Sequence, residues 1–326
     1  MQTNKALNQG IVIAVYPNLV SVLTDEKIIS CQRPISKRVA RDRKNKRPSA
    51  VSLESIENSA DLVVGDEVLF SDAMIHKTLP RRSLFSRRGV ASHAGGRVDE
   101  QKIAANVDQV IAILAAENPA PKWNLLDRYL AAAEIAEIPA LICITKMDLM
   151  DMHSANWHEM QAELAVYRRL GYTIVQTSTH DHTGLPELKE NMQGKNSLLI
   201  GKSGVGKSSL INALAPTAER ATGAVGKESG KGRHTTSSIW MQVMDRNTTL
   251  IDTPGSREFG LWFGVEDCLD WCFREIRPII GTCRFGLDCR HDEEPGCAVR
   301  QAVMQGEISP RRYQSYLHLM DEEGLR

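Results

Sequence analysis

Apolar positions change their period along this chain, and each change marks a different kind of element. Residues 10–16 and 19–23 are two β-rich apolar runs separated by Pro17-Asn18, the pattern of a hairpin. Residues 62–70 predict a further strand pair around Gly65-Asp66. Short strands of this kind over residues 7–71 suit a small barrel of about five strands, and the OB-fold is the commonest such barrel with a nucleic-acid role. From Asn106 the pattern alternates between strand and helix. Residues 107–115, 140–144, 172–177 and 197–200 read as buried strands. Residues 123–135, with Leu126, Tyr129, Leu130 and Ala133 at helical spacing, read as a helix, as do 157–170 and a short segment opening at 184–188. Such alternation predicts a doubly wound α/β sheet with its ligand at the strand C-termini. Residues 214–239 are poor in apolar side chains and rich in glycine. Beyond them, Val265, Cys268, Leu269, Cys272, Phe273 and Ile276 fall on one face of a predicted helix, which makes Cys268 and Cys272 core thiols. Ser309-Pro310 opens a last helix over 311–320.

Between the strand at 197–200 and a helix from Ser209 lies Gly201-Lys202-Ser203-Gly204-Val205-Gly206-Lys207-Ser208, the spacing G-x-x-x-x-G-K-S. A strand turning into a helix is the setting a phosphate-binding P-loop needs. Glycines let backbone N–H groups wrap a phosphate, Lys207 reaches the outer phosphates, and Ser208 is placed to hold Mg²⁺. Downstream, Asp252-Thr253-Pro254-Gly255 pairs a magnesium-associated Asp with a glycine N–H for a γ-phosphate. Upstream, the strand 140–144 ends in Thr145-Lys146-Met147-Asp148. A carboxylate at Asp148 accepts from the N1–H and 2-amino groups of guanine, donors that adenine lacks, so GTP is favoured over ATP. Gln176-Thr177-Ser178-Thr179 is a candidate second base loop, with Thr177 and Ser178 its site residues. Together with Ser209 these positions form the expected nucleotide site. Ordinary small GTPases carry the P-loop first; here the base motif comes first and Asp252–Gly255 last, so the chain reads as a circularly permuted GTPase.

The segment Gly230-Lys231-Gly232-Arg233-His234-Thr235-Thr236 occupies the first switch position. Thr236, or failing it Thr235, is the expected magnesium and γ-phosphate contact. Residue 256 is Ser rather than the Gln that many GTPases use to orient water, which leaves His234 as the nearest candidate by motif. Lys207, Thr236 and Gly255 complete the catalytic set.

Charge balances over the 326 residues, 40 Lys and Arg against 40 Asp and Glu, but the first hundred carry the basic excess. Arg33, Lys37, Arg38, Arg41, Arg43, Lys44, Lys46 and Arg47 crowd one stretch against the single acid Asp42. A second cluster holds Arg81, Arg82, Arg87 and Arg88. One-signed loops repel themselves unless a polyanion meets them, which points to RNA phosphates. A glycine-containing stretch at 89–96 reads as a linker, giving expected domains of 1–97, 98–257 and 258–326. No apolar run approaches the ~18 residues of a membrane span and no signal segment opens the chain, so a cytoplasmic location and no membrane partner are expected. Seven cysteines in that compartment are thiols or metal ligands rather than disulfides. Cys283, Cys289, His291 and Cys297, interleaved with Gly286, Pro295 and Gly296, make a four-ligand set suited to one Zn²⁺.

With these parts in this order, the chain resembles the ribosome small subunit-dependent GTPase A family, over nearly its full length. The resemblance implies an OB-fold up to about residue 97, contact with 16S rRNA of the 30S subunit, GTP hydrolysis stimulated by that subunit, and a role for His234 in positioning the attacking water. Coupling of hydrolysis to release, a mostly helical zinc-binding tail and a monomer are the further expectations. Three features depart from the family pattern: Thr145 stands in place of Asn, which is expected to loosen the link from base loop to P-loop; the Cys283–Cys289 gap is one residue longer; and the barrel insertion is unusually basic. The alternative from another class is a GTP-gated RNA-binding or chaperone module in which turnover is incidental.

Overall fold

In a computed structural model the residues described are 7–25, 27–32, 61–89, 99–215, 239–253, 259–262 and 269–323. The basic stretch Arg33–Arg47, the segment Gly230–Thr236 with His234 and Thr235, and Pro254, Gly255, Ser256, Val265 and Cys268 lie outside them.

Five strands, β1 (Asn8–Val15), β2 (Leu19–Leu23), β3 (Ile28–Gln32), β4 (Glu67–Ser71) and β5 (Met74–Thr78), pair in the order β1-β2-β3-β5-β4, and β4 returns to β1 to close a barrel. This is the five-stranded Greek-key arrangement of the OB-fold. Val12, Val20, Val22, Cys31, Leu62, Val68, Phe70 and Ile75 fill it. The strand pair expected around Gly65-Asp66 is not there: the hairpin turns at Asp72-Ala73 instead. Asp66 explains the shift, because its buried carboxylate accepts the Val63 N–H (2.9 Å) and two N–H groups of Arg81 (2.7 and 2.9 Å), folding 61–66 into a turn. Strands β6 (Leu84–Arg88) and β7 (Glu100–Ala105) pair with each other, so the expected linker joins two hydrogen-bonded strands.

The α/β core follows: β8 (Gln109–Ala115), α1 (Trp123–Ile135), β9 (Ala140–Thr145), α2 (Ala155–Arg169), β10 (Thr173–Gln176), α3 (Leu185–Met192), β11 (Asn196–Gly201), α4 (Lys207–Leu214), β12 (Trp240–Val243) and β13 (Thr249–Asp252). Strands β10-β9-β8-β11-β13 run parallel, and β12 lies antiparallel beside β13 on the side facing the barrel. Alternation decides the layers: Val110, Ala112 and Leu114 face α1 and α2, whereas Ile111 and Ile113 face α3 and α4. Strand β1 joins barrel to core. Its first half pairs with β4 and, beyond a bulge between Val12 and Ala14, Ala14 pairs with Trp240 of β12, making one eleven-stranded sheet.

The tail is helical in α5 (Ala298–Met304) and α6 (Pro310–Glu322), the latter capped by Ser309, whose hydroxyl accepts from the Arg312 N–H. The long helix expected before Cys283 is replaced, over the described residues, by 3₁₀ turns at Asp270–Cys272 and Arg277–Ile279. The Asp270 carboxylate captures the Trp271 N–H (3.0 Å) and so competes with the α-ladder in the middle of the expected helix, while Pro278, just beyond it, supplies no N–H to prolong it. Leu269, Cys272, Phe273 and Ile276 are buried all the same. Among the described residues no helix is long and apolar enough to cross a membrane.

Buried charge fastens the tail to the core. Asp127 of α1 accepts from Arg311 (2.7 Å), Arg312 (2.6 Å) and the Tyr167 hydroxyl (2.6 Å), while Arg312 also pairs with Glu275 (2.7 Å) and Arg311 with Glu163 (2.5 Å). Burial alone drives the Asp127 carboxyl upward, but the Arg312 and Arg311 charges outweigh it and leave the pKa below the ordinary aspartate value. A depressed native pKa contributes stability above the unfolded value of about 3.9. That stability is lost as pH falls through the lower native value. Asp127→Asn is expected to cost about 3–5 kcal/mol at neutral pH. Denaturant melts from pH 7 to 3 check this: the wild-type advantage should persist above pH ~4 and shrink below it.

Candidate functional site

Because β9, β10, β11 and β13 are parallel, the loops leaving their C-terminal ends gather at one edge of the sheet. Between β11 and α4 the chain turns through Gly204 (φ +85°) and Gly206 (φ +94°), left-handed values that L side chains rarely adopt. Lys202, Ser203 and Val205 fill the rest of the loop. Lys207 folds back over it, donating to Gly201 O (2.6 Å) and Lys202 O (3.3 Å), and is buried. Burial holds its ammonium below the ordinary lysine pKa, opposed by the charge of Asp252. Ser208 and Ser209 are exposed on the first turn of α4, and Asp252 is buried at the end of β13. A hydroxyl and a carboxylate are oxygen donors of the kind a hard divalent cation takes, so the residues fit magnesium.

The base motif is hydrogen-bonded to this loop. Thr145, expected to loosen the connection, maintains it: its hydroxyl lies 2.5 Å from Val205 O and 3.1 Å from Leu114 O, sharing one proton between the P-loop and the end of β8. Lys146, in the left-handed region (φ 59°), donates to Gly204 O (2.7 Å) and to Asn118 O. The second base loop closes on the first, with the Thr177 N–H on Ile144 O (2.6 Å) and the Met147 N–H on Thr177 O (3.2 Å). Ser178 is buried and its hydroxyl oxygen accepts the His180 N–H (3.1 Å) and the Asp181 N–H (3.3 Å). Asp148 stands exposed in the short 3₁₀ turn Met147–Leu149. Residues 145–148, 177–178 and 201–209 thus form one connected set of loops.

A second cluster lies in the tail. The ligand atoms of Cys283, Cys289, His291 and Cys297 lie within 4.8 Å of one another, all four residues buried. Cys283 Sγ is 3.9 Å from Cys297 Sγ, and His291 Nδ1 is 3.4 and 3.5 Å from those two sulphurs. A tetrahedron with Zn–S of about 2.3 Å and Zn–N of about 2.0 Å has edges of about 3.8 and 3.5 Å, so the set fits zinc. Nδ1 is the ring nitrogen turned to the thiols, whereas Nε2 faces Asp270 Oδ2 at 3.9 Å. Burial pushes the Cys289 thiol up to about 12 and raises Cys297. At Cys283 the backbone N–H groups of Ala298 and Val299 outweigh burial and lower it.

Comparison with known proteins decides the family. The RsgA GTPase family model matches residues 78–262. The chain belongs to the RsgA GTPase family. A Small ribosomal subunit biogenesis GTPase RsgA of Ectopseudomonas mendocina is 41% identical over 268 residues, 81% of this chain and 75% of that protein. Its namesake in Gemmatimonas aurantiaca is 43% identical, covering 80% and 84%. Among solved structures, YjeQ from Thermotoga maritima superposes with a TM-score of 0.68 at 28% identity, over 98% of this chain and 100% of that one. YloQ, described as a circularly permuted GTPase, gives 0.65 at 28%, over 99% and 97%. This chain is therefore a GTPase of permuted order.

Within this RsgA-family fold the second basic cluster is internally engaged. Arg81 forks onto Asp66, Arg82 pairs with Asp108 (2.9 Å), Arg87 donates to Gln101 (2.9 Å) and Arg88 pairs with Glu323 (3.1 Å). Arg81 in particular holds the 61–66 turn rather than offering a free charge. Asn118 as a partner of Lys146, Asp270 beside His291, and Glu323 beside Arg88 are not marked by any local motif, because each contact spans a long sequence separation.

Proposed function

We propose that this chain is a cytoplasmic monomer that hydrolyses GTP during maturation of the small ribosomal subunit, binding 16S rRNA, with hydrolysis stimulated by the subunit and coupled to release. The observation that carries the reading is the hydrogen-bonded union of base loops and P-loop at one sheet edge, in a chain whose barrel strand β1 extends the same sheet. The relatives named above as small ribosomal subunit biogenesis GTPases support the subunit as partner.

In this reading Asp148 accepts from guanine N1–H and the 2-amino group, beside Lys146, Thr145, Thr177 and Ser178. Residues 201–209 wrap the phosphates and Lys207 leaves its carbonyl partners to meet the outer ones. Magnesium, held by Ser208, Asp252 and Thr236, would neutralise charge on the phosphate oxygens. Gly255 N–H contacts the γ-phosphate and His234 holds the attacking water. Asp148→Asn replaces an acceptor by a donor facing the base, an expected loss of about 1–3 kcal/mol in GDP binding. Equal GDP affinity by fluorescence titration would remove Asp148 from the pocket.

The stretch Arg33–Arg47 is the proposed rRNA contact of the barrel, with Arg82, whose side chain stays 59% exposed beside Asp108, in support. Phosphate contacts release counterions, so each one removed flattens the salt slope of binding by about 0.7–0.9. Charge reversal at Arg38, Arg41, Arg43 and Lys44 should weaken small-subunit binding and flatten that slope; unchanged affinity and slope make the stretch a solvated loop. The functional reading itself is tested by sedimentation with small subunits: binding should be tight with a non-hydrolysable GTP analogue and weak with GDP. Equal binding in the two states would count against coupled release.

A further inference from the structure

The first three residues described after Asp252-Thr253, namely Phe259, Gly260 and Leu261, are held by three separate parts of the fold. Phe259 O accepts from Arg128 Nη1 of α1 (3.1 Å), and its buried ring meets Tyr129 edge-on at 5.3 Å and Phe85 of β6 at 6.1 Å. Gly260 O accepts the Arg88 N–H of β6 (3.1 Å). A Cβ at 260 would stand 2.9 Å from Arg88 Cβ, so glycine is what permits the approach. The Leu261 N–H donates to Glu323 Oε1 at the end of α6 (3.0 Å), and Glu323 Oε2 accepts from Arg88 Nη1 (3.1 Å). Arg128 closes the ring on Glu323 Oε1 at 3.6 Å and on Glu322. The Glu323 side chain is only 5% exposed, so this is a nearly buried carboxylate between two guanidiniums and an amide.

We infer that Glu323 is a positioning residue for GTP hydrolysis, clamping the exit of the Asp252–Gly255 segment to α6 and β6 so that the position of that segment and the seating of the tail depend on each other. The physical reason is that both ends of the intervening chain are then tied. Asp252 is placed at the end of β13 and Leu261 is held to α6, so the nucleotide side and the tail side of one stretch of chain each have a fixed anchor. A displacement driven at the nucleotide is therefore felt at the end of α6, and seating of α6 on a partner biases the nucleotide segment. The consequence for subunit-stimulated turnover rests on the function proposed above; the coupling within the chain does not.

Hydrogen exchange on the full-length protein with bound zinc separates the two. In wild type, amides at 259–262 and at the end of α6 should both change protection between GDP and a non-hydrolysable GTP analogue. Glu323→Ala should speed Leu261 exchange about tenfold, the value of one hydrogen bond to a charged group, and abolish the nucleotide response of α6. GDP affinity should stay within about twofold, since no phosphate or base contact is touched. Stimulated kcat should fall about tenfold while the half-saturating subunit concentration holds within about twofold, the split of a group acting only in the reacting state. Glu323→Gln, which keeps an acceptor for Leu261, should fall between. Gly260→Ala reaches the same junction from the other side should Glu323→Ala fold poorly. A wild-type α6 indifferent to the nucleotide, or a Glu323→Ala protein with wild-type exchange and stimulated kcat, overturns the inference. Absence of any stimulation in wild type overturns the proposed function instead, and the exchange results still decide the clamp.

Discussion

Alanine at position 234 should lower the subunit-stimulated GTPase rate by about 10²–10⁴-fold while leaving GTP and small-subunit binding near wild type. Phosphoryl transfer asks the protein for an in-line water and for charge stabilisation, with little covalent help. Lys207 and the backbone N–H groups of residues 201–209 are untouched by the substitution, so charge stabilisation survives in the variant. Water orientation does not, because Ser256 is too short for the role that Gln plays in many GTPases. Single-turnover hydrolysis with saturating subunits measures the effect. A stimulated rate in His234→Ala close to wild type would refute the histidine's role and leave the GTPase assignment standing.

Loss of metal is the second large effect. Zinc bound by three thiolates and one imidazole contributes on the order of 10 kcal/mol or more to folding at neutral pH. A chelator should therefore open the tail before the α/β core. The damage should travel, because the Tyr313 hydroxyl of α6 donates to His291 O (2.6 Å) and Ala298 N–H, entering α5, donates to Cys283 Sγ (3.2 Å). Metal analysis should find one zinc per chain, with exchange in α5 and α6 accelerating on chelation ahead of β8, β9 and β11. Zinc retained by Cys289→Ala/Cys297→Ala would move the site to other thiols. Protein prepared without chelator and free of zinc would remove the site altogether.

What could be read from sequence was what chemistry writes locally. The P-loop announces itself because L side chains rarely adopt the backbone at 204 and 206, and because a continuous apolar strand run meets a helix at that point. Helix α1 was legible from Leu126, Tyr129, Leu130 and Ala133, all buried. The Cys₃His set was legible from spacing, yet the choice of Nδ1 over Nε2 was not, since it depends on Asp270. The misread places are those where a side chain competes with the backbone pattern. Asp66 turned an expected strand into a clamped turn, and Asp270 with Pro278 broke an expected helix. At Thr145 the sequence showed only that the usual Asn is replaced; that its hydroxyl still meets Val205 O follows from where β9 ends, directly beside the P-loop. Arginine in a run says only that charge is present. Asp66, Asp108 and Glu323 lie far away in sequence and come together only in the fold.

The GTPase rate of the purified chain with and without small ribosomal subunits, under saturating GTP, tests the proposed function most directly. The intrinsic rate should be slow, because no Gln follows Gly255 to hold the water, and small subunits but not large ones should raise it at least tenfold. Equal rates with and without small subunits would contradict it, and would leave a GTP-gated RNA-binding module with incidental turnover as the better description.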